Sequence, residues 1–167
     1  MELHLQSHHW QARLPDWAAA AVAGFGAGGV LMLLELSWSS LTSTTDPWLA
    51  THMIAALVMN GDVLQTSGYS LGVTVAALLV HYALGVAFGV MLAAIMAPFR
   101  LDSSIAMALA AGAVFGLLLY GLNFYGMAGI YTWFVALRGW PTALAHMFFG
   151  ASAAFIYVKL ERPSRPR

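Results

Sequence analysis

Not one cysteine occurs in this 167-residue chain, which removes disulfides, thiolate metal sites, covalent c-type haem attachment and iron–sulfur ligation together. Any cofactor would have to be held by His, Met, carboxylate or packing alone. Charge is nearly as scarce: seven Lys and Arg and seven Asp and Glu make up 8% of the residues and cancel, against roughly a quarter in a soluble domain. Such a chain cannot cover a water-facing surface. With no basic run there is no phosphate-neutralising face, so nucleic-acid binding is excluded. G-x-S-x-G, H-E-x-x-H, Walker and dinucleotide-binding patterns are also missing, so catalysis has no visible seat and the chain is expected not to be an enzyme.

What is present is apolar, at 60% of the residues. A hydrocarbon core about 30 Å thick needs about 20 apolar residues per helix, and four such segments fit. The first, from Trp17 to Leu34, is longer than a signal-peptide core and reads as a true span. Asp16, after Pro15, is its natural N-cap, and helix one runs to about Ser37. Asp46-Pro47 opens a short apolar helix near 47–59 that Asn60-Gly61 closes. At about 13 residues it is too short to cross and is expected in the interface or as a re-entrant piece.

Helix two covers about Ser70 to Ala97 and stops at Pro98, and a turn with Arg100 and the cap candidates Asp102, Ser103 and Ser104 starts helix three, which reaches about Tyr125. An aromatic connection, Gly126 to Trp140, suits the headgroup zone, and helix four runs from Pro141 to about Lys159. The expected fold is an all-α membrane protein, four transmembrane helices in a compact bundle. It is a single domain over 17–160 with polar tails at 1–16 and 161–167. Basic residues occur at 13, 100, 138, 159, 162, 165 and 167, and none occurs in 38–69. By the positive-inside rule both termini and the 98–103 turn are cytoplasmic, with Arg138 the one exception.

Laying helix one over helix three without a gap puts Ala23-Gly24 on Ala111-Gly112, Gly28 on Gly116 and Glu35 on Asn123. Each is followed by an aromatic outer segment and then by a helix carrying His-x-x-x-Gly, His81 to Gly85 and His146 to Gly150. The halves therefore read as two parallel repeats of helix, outer segment, helix, related by an axis along the membrane normal. Small residues four apart recur on every helix: Gly24/Gly28, Gly85/Gly89, Gly112/Gly116 and Gly150/Ala154. Because lipid supplies no hydrophobic force between helices, such faces supply packing by close backbone approach, within the bundle or towards a partner, a homo-oligomer included.

The candidate buried polar residues are Glu35, Asn123, His81 and His146, since polar groups within a span are costly and mark function by default. His81 and His146, one in each repeat, are where a bis-histidine b-type haem would need its two axial ligands. The blander alternative, a neutral imidazole bonded to a neighbouring helix, is favoured, so no cofactor is expected beyond bound lipid. Glu35 is expected to pair with Arg138, His52 or His146. Its functional alternative is a proton-accepting carboxylate at the mouth of a pathway. His4, His8 and His9 in the tail, and His52 with Met53 and Met59, are weaker metal candidates without carboxylate or thiol companions.

The segment GLNFYGMAGIYTWFVALRGWPTALAHMFFG at 121–150, with MIAALV at 53–58 and VHYALGVAFG at 80–89, resembles a group of small uncharacterised bacterial inner-membrane proteins. They are of similar length and four-helix hydropathy, and some are labelled "sodium:proline symporter". The resemblance covers most of the chain from Ala18 to Tyr157. It implies a bacterial inner-membrane location and supplies no activity to carry over. A sodium/solute symporter needs many more helices and discontinuous ones at its substrate site, so the label is discounted. The leading expectation is a non-catalytic accessory subunit of a larger membrane complex, for instance a respiratory or electron-transport assembly, with other integral membrane subunits and lipid as partners. A haem-binding electron carrier through His81 and His146 and a small oligomeric transporter or channel are the alternatives.

Overall fold

The computed structural model describes residues 13–42 and 46–161. The tail histidines His4, His8 and His9 and the basic residues at 162, 165 and 167 lie outside the described residues.

Four helices are long and apolar enough to cross a membrane, and the fold is the all-α four-helix bundle expected. Helix α1 spans Trp17–Thr42, α3 Leu71–Phe99, α4 Ile105–Gly121 and α5 Trp140–Leu160. The short α2, Leu49–Ala55, lies between the first two. At about 1.5 Å per residue, the 21-residue α5 matches a hydrocarbon core about 30 Å thick, and α4 does so with its continuation to Gly129, 25 residues in all. The chain runs up α1, down α3, up α4 and down α5, so the start of α1, the end of α5 and the α3–α4 turn share one end. The other end carries α2 and the 122–139 connection. Apolar side chains cover every face of the helices, and large ones such as Phe25, Leu79, Phe99 and Leu118 point outward, as they do where the surroundings are lipid rather than water.

Local chemistry explains where the elements depart from the sequence expectation. Helix α1 passes Ser37 because Ser40 Oγ and Thr42 Oγ1 donate back to the carbonyls of Ser37 and Trp38 at 2.9 and 2.8 Å, so the hydroxyls need no water. Asp16 caps α1 through a carboxylate oxygen that accepts from Ala19 N at 3.0 Å. The short helix is only seven residues, not 47–59. Beyond Ala55 the chain tightens into turns and then a 3₁₀ segment, Gly61–Gln65. Pro98 does not stop α3, which includes it and ends at Phe99. In a last turn the missing N–H removes only one bond, and Arg100 in the left-handed region (φ 53°) closes the helix. There Arg100 N donates to Ala97 O and Leu101 N to Met96 O. Ser104, not Asp102, caps α4, accepting from Met107 N at 3.2 Å. At its far end α4 continues through a π-helical turn, Leu122–Gly126.

Helix α1 packs on α3 and α5, and α5 packs on α4, whereas α3 and α4 touch little beyond their connecting turn. The interface glycines match between the halves. A Cβ on Gly24 would overlap the Gly85 carbonyl oxygen, and one on Gly112 would overlap that of Gly150. Gly89 lies against the Gly24 backbone, and Ala154 stands opposite Gly112 in the same way. Around them the terminal half of the bundle is filled by Ala20, Ala23, Ala93, Ala108, Ala153 and Ala154 with Leu92, Met96 and Phe149. Close backbone approach is therefore the means of packing.

Candidate functional site

Towards the α2 end the helices diverge, and the dense core gives way to a cavity of about 1130 Å³. Helix α1 supplies one wall with Gly28, Leu31, Glu35 and Trp38, one helical face by spacing. Helix α3 adds His81, Leu84 and Phe88, the end of α4 adds Leu119 and Asn123, and α5 adds His146 and Phe149. Ile54 of α2 and Leu57 after it, with Tyr131 and Phe134 of the 3₁₀ segment Thr132–Leu137 and its approach, cover it.

All four residues singled out as buried polar candidates, Glu35, Asn123, His81 and His146, line this one space. Only His146 is buried in the strict sense. Glu35, Asn123 and His81 are half-buried, because they face the cavity instead of a neighbouring helix. Glu35 and Asn123 are repeat mates, as are His81 and His146, so the two halves each contribute one member of both pairs.

The imidazoles are fixed differently. His81 Nε2 lies 2.8 Å from the Gly28 carbonyl oxygen across the α1–α3 interface, so that nitrogen carries the proton and donates. His146 Nδ1 lies 2.9 Å from Thr142 O, one turn back in its own helix, which leaves Nε2 as the acceptor. The His146 ring also stands edge-on to Phe124, with centroids 5.3 Å apart. Two axial haem ligands would each have to present an unprotonated nitrogen to one iron; His146 has Nε2 for this, while His81, whose Nε2 donates to Gly28 O, has only Nδ1 to offer. Among the described residues no three His, Asp or Glu side chains gather as a metal site.

Glu35 makes no ion pair or hydrogen bond with Arg138, His52 or His146, contrary to expectation, because Arg138 and His146 are bonded elsewhere and His52 is enclosed beside a different cavity. Arg138 donates from Nε to Phe124 O at 2.6 Å and lies 4.4 Å over the Tyr125 ring. It thereby satisfies a carbonyl of the π-helical turn in which Asn123 sits. His52 is 2% exposed in α2, with Nδ1 lacking a partner. It borders a separate cavity of about 360 Å³ with Asn60, Asp62 and Ser70. At the rim of the larger cavity Trp38 and Trp140 meet edge to face, with centroids 4.9 Å apart.

Asp46, also at the rim, accepts from Trp48 N and Gly68 N, both at 2.9 Å. The Gly68 and Trp48 backbone N–H groups hold its carboxyl below the ordinary aspartate range. That clamp ties the start of the α2 segment to the approach to α3.

A second polar cluster, not foreseen from sequence, closes the opposite end. Arg13 Nη1 lies 2.9 Å from Asp102 Oδ2, and Nη2 lies 3.2 Å from Glu161 Oε2. The Asp102 side chain is fully enclosed, while Arg13 keeps a third of its surface. Burial first, then the neighbouring Asp102 charge, pushes the Glu161 carboxyl above the ordinary glutamate range. The cluster joins the chain before α1, the α3–α4 turn and the end of α5. A lone Arg in a tail and a lone Asp in a turn carry no spacing signal that would have paired them.

Neither the protein-family models, nor the curated proteins, nor the solved structures contain a match to this chain.

Proposed function

We propose that this chain is a non-catalytic integral membrane binding protein that holds one amphipathic molecule in the cavity at its α2 end. The observation that supports the reading is the convergence of the two repeat-related polar pairs on a mainly apolar space of about 1130 Å³. Drug-sized ligands sit in pockets of roughly 300–1,000 Å³ lined mainly by apolar and aromatic groups with a few placed polar ones. Polar groups facing the cavity need a partner at a comparable depth in the bilayer.

The distribution of Lys and Arg supports cytoplasmic termini, and the resemblance to bacterial inner-membrane proteins supports that membrane. The cavity then belongs to the outer half of the bilayer. The same orientation places the Arg13–Asp102–Glu161 cluster on the cytoplasmic side. Reporter fusions at residues 45 and 167 should report opposite compartments. The small-residue faces that would serve docking onto a larger assembly are occupied between α1 and α3 and between α4 and α5, so the cavity is favoured over the accessory-subunit reading.

Because the chain has no cysteine, a single Asn123→Cys variant gives an unambiguous probe. N-ethylmaleimide should label it, and a bound amphiphile should slow that labelling. An Asn123→Cys thiol as inert as one placed at Met96, fully buried in the core, would remove the reading.

A further inference from the structure

Resting on the reading of the cavity as a binding site, we propose that the occupant is a lipophilic monocation, an apolar or aromatic body whose single positive charge pairs with Glu35. The charges at the cavity are few. Arg138 and Asp46 both line it and offset one another. Arg138 is committed to Phe124 O and the Tyr125 face, and Asp46 has each of its carboxylate oxygens on a backbone N–H. His81 and His146 are each engaged with a carbonyl through one nitrogen, which a neutral imidazole satisfies. That leaves the Glu35 carboxylate, which has no hydrogen bond or ion pair with any described residue, and an ionised Glu35 gives the cavity one uncompensated negative charge.

A carboxylate at membrane depth, once ionised, is stabilised by a positive partner. An inorganic cation would need about six oxygen ligands, and Glu35 with Asn123 supplies too few. An organic cation needs only the carboxylate and apolar contact. Trp38, one turn beyond Glu35 on the same helical face, Phe88 and Phe149 line the space, and aromatic faces attract cations once water is excluded. An anionic or neutral occupant would leave the Glu35 charge unpaired.

The test compares tetraphenylphosphonium with tetraphenylborate, nearly the same shape with opposite charge, binding to the full-length protein in mild detergent. A neutral pyrene-labelled alcohol serves as the third probe. The phosphonium should bind saturably and at least tenfold more tightly than the borate. Glu35→Gln should weaken it at least tenfold and leave the alcohol unaffected. The double variant Glu35→Gln with Asn123→Asp moves the carboxylate to the repeat-related position and should restore phosphonium binding, which also shows that the Gln variant is folded.

Equal binding of the two ions, or phosphonium binding unaltered by Glu35→Gln, would overturn the cation assignment while the alcohol still reports a cavity. The same zwitterionic lipid retained by wild type and Glu35→Gln would overturn it too. Failure of all three probes would instead overturn the reading of the cavity as a binding site.

Discussion

Gly28 and Gly116 hold matched places in the two repeats, yet their surroundings differ in a way the sequence alignment could not reveal. A Cβ on Gly116 would collide with the His146 carbonyl oxygen, whereas one on Gly28 would meet nothing closer than the Tyr82 ring at 3.5 Å. Backbone does not yield, and overpacking against it costs about 3 kcal/mol. In a helix interior with room, Ala is favoured over Gly by roughly 0.5–1 kcal/mol. Gly116→Ala should therefore lower the denaturation midpoint in mixed micelles sharply, while Gly28→Ala should leave it unchanged or raise it. Equal losses would mean that the α1–α3 contact is as tight there as the α4–α5 contact.

Asp46 carries a pH prediction at the same scale. Its folded carboxyl is held below the ordinary value by the Gly68 and Trp48 amides. The stabilisation is therefore complete above the unfolded aspartate pKa of about 4 and disappears as pH falls through the lowered folded value. Acid titration of wild type should accordingly show loosening of the 46–70 connection, followed by amide exchange at Gly68, that Asp46→Asn shows already at neutral pH. Wild-type protection of Gly68 in that variant would contradict the clamp.

At the scale of elements, the sequence was most legible where a rule acts locally. Asp16 as a cap, the four apolar runs and Pro141 at the start of α5 all depend on neighbours within a turn. The 47–59 helix shrank to Leu49–Ala55 and α3 ran through Pro98 because the turns that close them depend on backbone hydrogen bonds no composition rule specifies. The π-helical turn at Leu122–Gly126 was invisible for a related reason: its freed carbonyl is taken by Arg138 from across the connection. That contact also accounts for a basic residue at the end where the charge bias predicts none. Asp102 was read as a cap candidate when it serves as the enclosed partner of Arg13, and the pair joins segments far apart in the chain. Removing one member of a buried pair costs about 3–5 kcal/mol, less here because Arg13 is partly exposed. Asp102→Ala should thus destabilise by about 2–3 kcal/mol in chemical denaturation. A change under about 0.5 kcal/mol, typical of a surface pair, would demote the cluster to a surface contact.

Across the whole molecule, the matched sequence pairs became matched contacts, Gly24 on Gly85 and Gly112 on Gly150. The four polar candidates became the wall of a single space. The space itself was not legible, because it arises from the failure of α3 and α4 to close on one another, a property of tertiary packing rather than of any one helix. The haem alternative rested on two histidines at similar depth and lacked the information that His81 turns to the Gly28 carbonyl.

The account stands on the cavity being a binding site that one molecule fills. Native mass spectrometry of the full-length protein, released from the mildest detergent that extracts it, tests this most directly. Wild type should carry one tightly retained, non-detergent adduct per chain. Ala145→Phe and Leu84→Trp, which add bulk at positions lining the cavity, should both lose it while keeping the helical circular dichroism of the wild type. A wild-type spectrum with no retained adduct, or an adduct equally abundant in both folded variants, would contradict it.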